Sequence, residues 1–295
     1  MNNPLPPLSP IPFTAFSNHG PPLFFLHANG YPPACYKPFL RQFTDYHVRA
    51  MHLRPLWPGQ SPDGLRDWKP LTDDFLRFLD EQNAGRVLAV GHSLGAITIL
   101  RAALKNPERF RAIVLIDPVL FPPRRIIAWN IVRALGLGYK THPLIRGTLK
   151  RRPQFDDMDQ VFRAYRQREV FRFFSDESLR AYIEGILRPR ADGGREASPI
   201  GGYELAYSPE WEARIYYTGI WRDLELWRGL RSLRVPTLFV RGAETDTFWA
   251  SAADLVKRKQ PAVRVETVER STHLLPLERP EEVAKIVLSF LKEIP

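Results

Sequence analysis

Arg86-Val87-Leu88-Ala89-Val90, Gly91-His92-Ser93-Leu94-Gly95 and the run from Ala96 to Asn106 together decide the fold. After Arg86, the first run is apolar and rich in β-branched side chains, the composition of a short buried strand. The last run is apolar at helical spacing. Between them stands Gly-x-Ser-x-Gly. A strand that turns sharply into a helix lifts the Ser93 hydroxyl above the sheet. The backbone there is strained and chain passes close to chain, so Gly91 and Gly95 supply the room. The serine then stands at a helix N-terminus, where free N–H groups and the dipole favour negative charge.

Working outward, the same strand–helix rhythm recurs. Leu23–Leu26 reads as a buried strand that stops at the loop His27-Ala28-Asn29-Gly30. Tyr36 to Phe43 reads as a short helix, and His47–Leu53 alternates as a strand does. Trp68 to Gln82 places Leu71, Phe75, Leu76 and Leu79 at helical spacing. Ala112–Ile116 and Pro236–Val240 have the composition of central parallel strands. Val263–Val268 reads as a strand nearer an edge. Pro280 starts a final amphipathic helix whose stripe is Val283, Ile286, Val287, Phe290 and Leu291. This alternation predicts an α/β fold with a doubly wound, mostly parallel sheet.

One segment breaks the rhythm. From about Pro118 to Leu233 no strand of the buried kind is legible, while Val161–Phe174 and Leu179–Leu187 carry helical patterns. Residues 119–233 are therefore expected to form a helical cap inserted into a core made of 1–118 and 234–295. The Pro-rich residues 4–12 read as an extended lead-in, and Arg190 to Gly202 as a Gly-rich loop.

The bulk properties fit one large α/β domain with an insertion in 295 residues. Cys35 is the only cysteine, which excludes an intrachain disulfide and fits a reducing, cytoplasmic setting. Met1–Pro7 has neither a basic n-region nor an apolar h-region, so a signal peptide is not expected. No apolar run is long enough to span a bilayer, and membrane insertion is not expected. The net charge of +10 is spread widely, with Lys150-Arg151-Arg152 its densest cluster. No nucleic-acid recognition module accompanies it, so nucleic acid is not an expected partner.

A serine hydroxyl needs a base beside it, and the base needs an orienting acid. His273 is the expected base, because it follows the last strand and precedes the last helix. Its loop then opens at the C-terminal edge of the sheet, where Ser93 lies. Asp246, after the Pro236–Val240 strand, ranks first as the acid. Asp117, directly after the Ala112–Ile116 strand, ranks second, and Glu244 third. Backbone N–H groups must wait for the oxyanion. Leu94 supplies one, and the His27–Gly30 loop the other, with Asn29 and Ala28 as its candidates. His27 itself reads as a histidine bracing that loop. Such chemistry needs no metal and no organic cofactor.

In Leu26–Pro32, Gly91–Gly95, Gly242–Asp246 and His273–Pro280 the chain resembles the α/β-hydrolase superfamily, specifically the serine hydrolases and esterases with a helical cap. The resemblance implies a triad of Ser93, Asp246 and His273, with Leu94 and Asn29 as oxyanion donors. Two departures stand out. Ala28 replaces the glycine that many members carry after the histidine, and the acid comes four residues after Gly242 rather than three.

The expected activity is cleavage of a small-molecule carboxylic ester with an apolar acyl or alcohol group. A carbon–carbon bond hydrolase or lactonase would use the same triad, and a non-catalytic ligand-binding protein could use the same fold. Phe121, Trp129 and Trp249 are the candidate substrate-contacting aromatics. Arg124 and Arg125 could pair with a substrate carboxylate. The oligomeric state is not readable from the sequence.

Overall fold

Alternating side chains on five central strands build the core. The computed structural model describes residues 9–190 and 202–294. The ten strands are β1 (Phe13–Ala15), β2 (Pro22–Leu26), β3 (His47–Met51), β4 (Val87–His92), β5 (Phe110–Ile116), β6 (Gln154–Phe155), β7 (Leu187–Pro189), β8 (Tyr203–Leu205), β9 (Thr237–Gly242) and β10 (Arg264–Val268). Seven of them form one sheet in the order β1-β3-β2-β4-β5-β9-β10. Every pairing in it is parallel except β1 with β3.

Along β2, Leu23 and Phe25 enter one layer while Phe24 and Leu26 enter the other. That period-two division sends side chains to both faces, and helices cover both. The Lys69–Glu81 and Leu94–Lys105 helices pack with Phe24, Ile113 and Phe239 on one face. The Pro280–Lys292 helix packs with Phe25, Val114 and Val240 on the other. Each fully buried large side chain contributes roughly 1.5–3 kcal/mol of transfer free energy.

Outside residues 119–233 the expected strands and helices are present within a few residues of their predicted ends, whereas the pattern read over Val161–Phe174 is a helix at Met158–Arg166 followed by a 3-10 turn at Glu169–Phe171. The edge position of β10 is also as expected. The structure also contains elements absent from the sequence reading. β1 adds an antiparallel edge strand just after the Pro-rich lead-in, of which residues 4–8 lie outside the described residues. A helix over Ala250–Lys259 follows β9.

The chain between β5 and β9 leaves the main sheet. It carries helices at Pro123–Ala134, Pro143–Thr148, Met158–Arg166, Asp176–Ile186 and Pro209–Thr218. This stretch also carries three short strands, none of them of the fully buried kind. β6, β8 and β7 form a small antiparallel sheet, with Gln154 opposite Glu204 and Leu187 opposite Leu205. Strands of two or three residues are too short for a period-two pattern to emerge. Residues 191–201, most of the expected Gly-rich loop, lie outside the described residues.

Candidate active site

Ser93 and Asp117 sit side by side because their strands are neighbours. The Ser93 N–H donates to the Ile116 carbonyl at 2.9 Å, and the Asp117 N–H to the Val240 carbonyl at 2.7 Å. Each bond extends the parallel ladder one step past its strand. Both residues then leave the ladder with positive φ, +56° for Ser93 and +38° for Asp117. Non-glycine residues held there cost of order 1–3 kcal/mol each. The turn at Ser93 brings the following helix against β2. A side chain at Gly95 would lie 2.2 Å from the Leu26 carbonyl oxygen, so only glycine fits.

His273 reaches both residues. Its Nε2 is 2.9 Å from Ser93 Oγ, and its Nδ1 is 2.7 Å from Asp117 Oδ2. An ionised carboxylate only accepts hydrogen bonds, so Nδ1 carries the proton and Nε2 is left to accept from the serine. Asp117 is fully buried. Burial pushes its carboxyl above the usual range, opposed chiefly by the hydrogen bond from His273.

The expected pairing of Asp246 with His273 is thereby corrected. Asp246 is exposed, and its carboxylate accepts from Thr247 Oγ1 at 3.1 Å. Its carbonyl accepts from Trp249 Nε1 at 2.6 Å. Glu244 is also exposed, and pairs with Arg172 at 2.7 Å. The side chain in this loop that reaches the buried pair is Thr245, whose hydroxyl donates to Asp117 Oδ2. Thr245 Oγ1 in turn accepts the Thr247 N–H at 3.1 Å. The Gly242 position explains why the loop fits: a Cβ there would sit 2.3 Å from the Thr272 carbonyl oxygen.

The histidine loop is fastened from two sides. Buried Glu278 accepts from the Thr272 N–H and the Thr272 hydroxyl, both at 2.6 Å. On the other side stands His92, inside the Gly-x-Ser-x-Gly motif. Its Nε2 faces the His273 carbonyl at 2.8 Å, and its Nδ1 the Tyr36 hydroxyl at 2.7 Å. A carbonyl can only accept, so Nε2 holds the proton and Tyr36 donates to Nδ1. Burial, aided by the nearby His273, holds His92 well below the usual imidazole range.

Tyr36 also accepts the Ala28 N–H at 3.1 Å. That bond removes Ala28 from the candidate oxyanion donors, a second correction. Leu94 is the first residue of its helix, so its N–H has no intrahelical acceptor. Asn29 is held by its side chain: Nδ2 donates to the Glu212 carbonyl at 3.1 Å, and Oδ1 accepts from the Tyr207 hydroxyl at 2.9 Å. Glu212 is itself buried, and it accepts from Arg151 at 2.6 Å and from Thr148 at 3.1 Å. The inserted segment thus grips the loop after β2. His27 braces that loop from below, with Nδ1 donating to the Ala28 carbonyl and Nε2 accepting the Leu53 N–H. Burial lowers its pKa to about 3.

The expected substrate-contacting aromatics are placed as follows. Phe121 and Trp249 meet edge to face at 5.5 Å, and Trp129 packs on His142 at 4.9 Å. None of these ring contacts includes Ser93 or His273. Sequence reasoning missed Tyr36, His92, Thr245 and Glu278. His92 alone had a signal, its place beside the serine.

With the geometry in view, comparison with known proteins is informative. The family described as "Alpha/beta hydrolase family" matches residues 23–286. Among curated relatives, ethanol acetyltransferase 1 of Kluyveromyces marxianus is 25% identical over 77% of this chain. That alignment spans only 61% of the relative's own length. The crystal structure of E-2-(acetamidomethylene)succinate hydrolase superposes with a TM-score of 0.72 at 22% identity, covering 94% of this chain and 93% of the other. A thermophilic esterase from Thermogutta terrifontis superposes with a TM-score of 0.65 at 17% identity, covering 96% of this chain and 93% of the other. At those identities the two superpositions speak to the fold alone.

Proposed function

Because the chain belongs to the alpha/beta hydrolase family, we propose that it is a serine hydrolase that cleaves carboxylic esters through an acyl-serine intermediate. The observation that carries this reading is the continuous hydrogen-bonded line from Ser93 through His273 to buried Asp117. In the first step Ser93 Oγ attacks the acyl carbon while His273 Nε2 takes the hydroxyl proton. Asp117 steadies the imidazolium through Nδ1. The N–H groups of Leu94 and Asn29 receive the oxyanion. Collapse breaks the ester C–O bond, and the leaving alcohol takes the proton from Nε2. Water then repeats the sequence on the acyl-serine, with His273 again as base.

A second reading concerns the acceptor. The relative from Kluyveromyces marxianus and a second from Cyberlindnera fabianii are named as an ethanol and an alcohol acetyltransferase. The same acyl-serine, attacked by an alcohol instead of water, yields a new ester. Both readings are tested by p-nitrophenyl esters, acetate through palmitate, offered to the wild type and Ser93→Ala with and without ethanol. Ser93-dependent release of p-nitrophenol supports the ester reading. Ethyl ester formation in competition with free acid supports alcohol transfer. No release from folded protein, together with no fluorophosphonate labelling of Ser93, contradicts both.

A further inference from the structure

Residues 118–155 contain eight Lys and Arg and no Asp or Glu. This stretch therefore carries +8 of the chain's net +10 and leaves the rest near neutral. The same stretch is unusual in a second way. Of ten exposed large apolar side chains among the described residues, seven lie between Ile127 and Leu149. The Pro123–Ala134 helix buries only Ile126. Ile127, Ile131 and Leu135 follow one another at helical spacing and are 49, 57 and 67% exposed. The next long-enough turn of chain, Pro143–Thr148, buries Ile145 and Thr148 and leaves Leu144 and Leu149 outside. Arg124, Arg125, Lys140, Arg146 and Lys150 are exposed and, among the described residues, have no acidic partner.

We infer that this face docks on an anionic phospholipid surface. Aliphatic side chains in one segment with unpaired cations are what a lipid interface uses together: the first enter the acyl boundary, the second meet the headgroups. The charge itself argues against a second copy of this chain. A two-fold contact would set the same acid-free, positive segment against itself. A nucleic acid would engage the cations and leave Ile127, Ile131 and Leu135 without a role. Peripheral docking needs no spanning helix, and among the described residues no helix is long and apolar enough to cross a membrane. The docking face backs directly onto the site. Thr148, on the buried side of the Pro143–Thr148 turn, holds Glu212, which holds Asn29.

The test is co-sedimentation with phosphatidylcholine–phosphatidylglycerol vesicles, with pure phosphatidylcholine vesicles alongside. Three proteins are compared, each checked for an unchanged melting curve: wild type, Lys140→Gln with Arg146→Gln, and Ile131→Ser with Leu135→Ser. The wild type should pellet with the anionic vesicles, stay in solution with the neutral ones, and be released by salt. Neutralising two cations should lower partitioning roughly 30-fold. The apolar pair should lower it at least about tenfold with no change in charge. Wild type that stays in solution with anionic vesicles would overturn the inference. So would apolar variants that bind as the wild type does. A wild-type dimer that the serine substitutions convert to monomer would assign the face to a second copy instead.

Discussion

The loop after β5 and the loop after β9 both end at the same edge of the sheet, and each offers an acid to His273. The first offers Asp117, fully buried, one strand away from Ser93 and bonded to His273 Nδ1. The second offers Asp246 and Glu244, both exposed, one bonded to Thr247 and the other paired with Arg172. What the second loop does contribute is Thr245, whose hydroxyl supports the carboxylate of the first. The difference teaches that position after a strand does not by itself select the acid: here the carboxylate on the strand beside Ser93 turns inward to the histidine, while the acids of the next loop turn outward.

Replacement of Ser93 is the largest test, since either loop is idle without the nucleophile. Ser93→Ala should lower kcat by about a million-fold, measured on the best p-nitrophenyl ester. Substantial residual turnover would mean that neither loop serves this serine.

A smaller effect separates what braces the loops from what reacts. His27 is held neutral, at about pKa 3, and His92 is lowered in the same direction, both first by burial. Unfolding frees both imidazoles to bind protons. The stability that neutral burial provides is therefore complete above about pH 6.5 and is lost as pH falls toward the folded values. Between pH 7 and 5, His27 alone should remove about 2 kcal/mol of unfolding free energy. Denaturant titrations at the two pH values measure it. Equal stability at both would contradict neutral, buried braces.

The smallest effect sharpens the role of the second loop. Thr245→Val keeps the shape and removes one hydrogen bond to a charged acceptor. It should lower kcat about tenfold while KM stays close to the wild-type value. A raised KM with normal kcat would place Thr245 against substrate rather than behind Asp117.

The fold was legible because its signals are local. The β4 sequence, the serine turn and the helix after it agree in composition, period and punctuation. Ser93 and His273 were legible for the same reason, since each lies at a strand end that its neighbours define. The acid was not, because Asp117 and Asp246 both follow strands. Their difference is which side chain turns inward at the sheet edge, which no single segment encodes. That Ala28 is not a free donor is illegible in its own loop, because the hydroxyl that occupies its N–H belongs to Tyr36, eight residues on. The small sheet of β6, β7 and β8 was unreadable because its strands of two or three residues pair across long stretches of chain.

The most direct measurement is kcat/KM for Asp117→Asn and Asp246→Asn side by side on one ester, with melting curves for both. The geometry predicts a fall of about 10³–10⁴-fold for Asp117→Asn, because an amide at Nδ1 no longer fixes the imidazole tautomer. It predicts a change within about threefold for Asp246→Asn, an exposed side chain outside the hydrogen-bonded line. The reverse pattern, a near-normal Asp117→Asn and a disabled Asp246→Asn, would contradict the assignment of the acid to the strand beside the nucleophile.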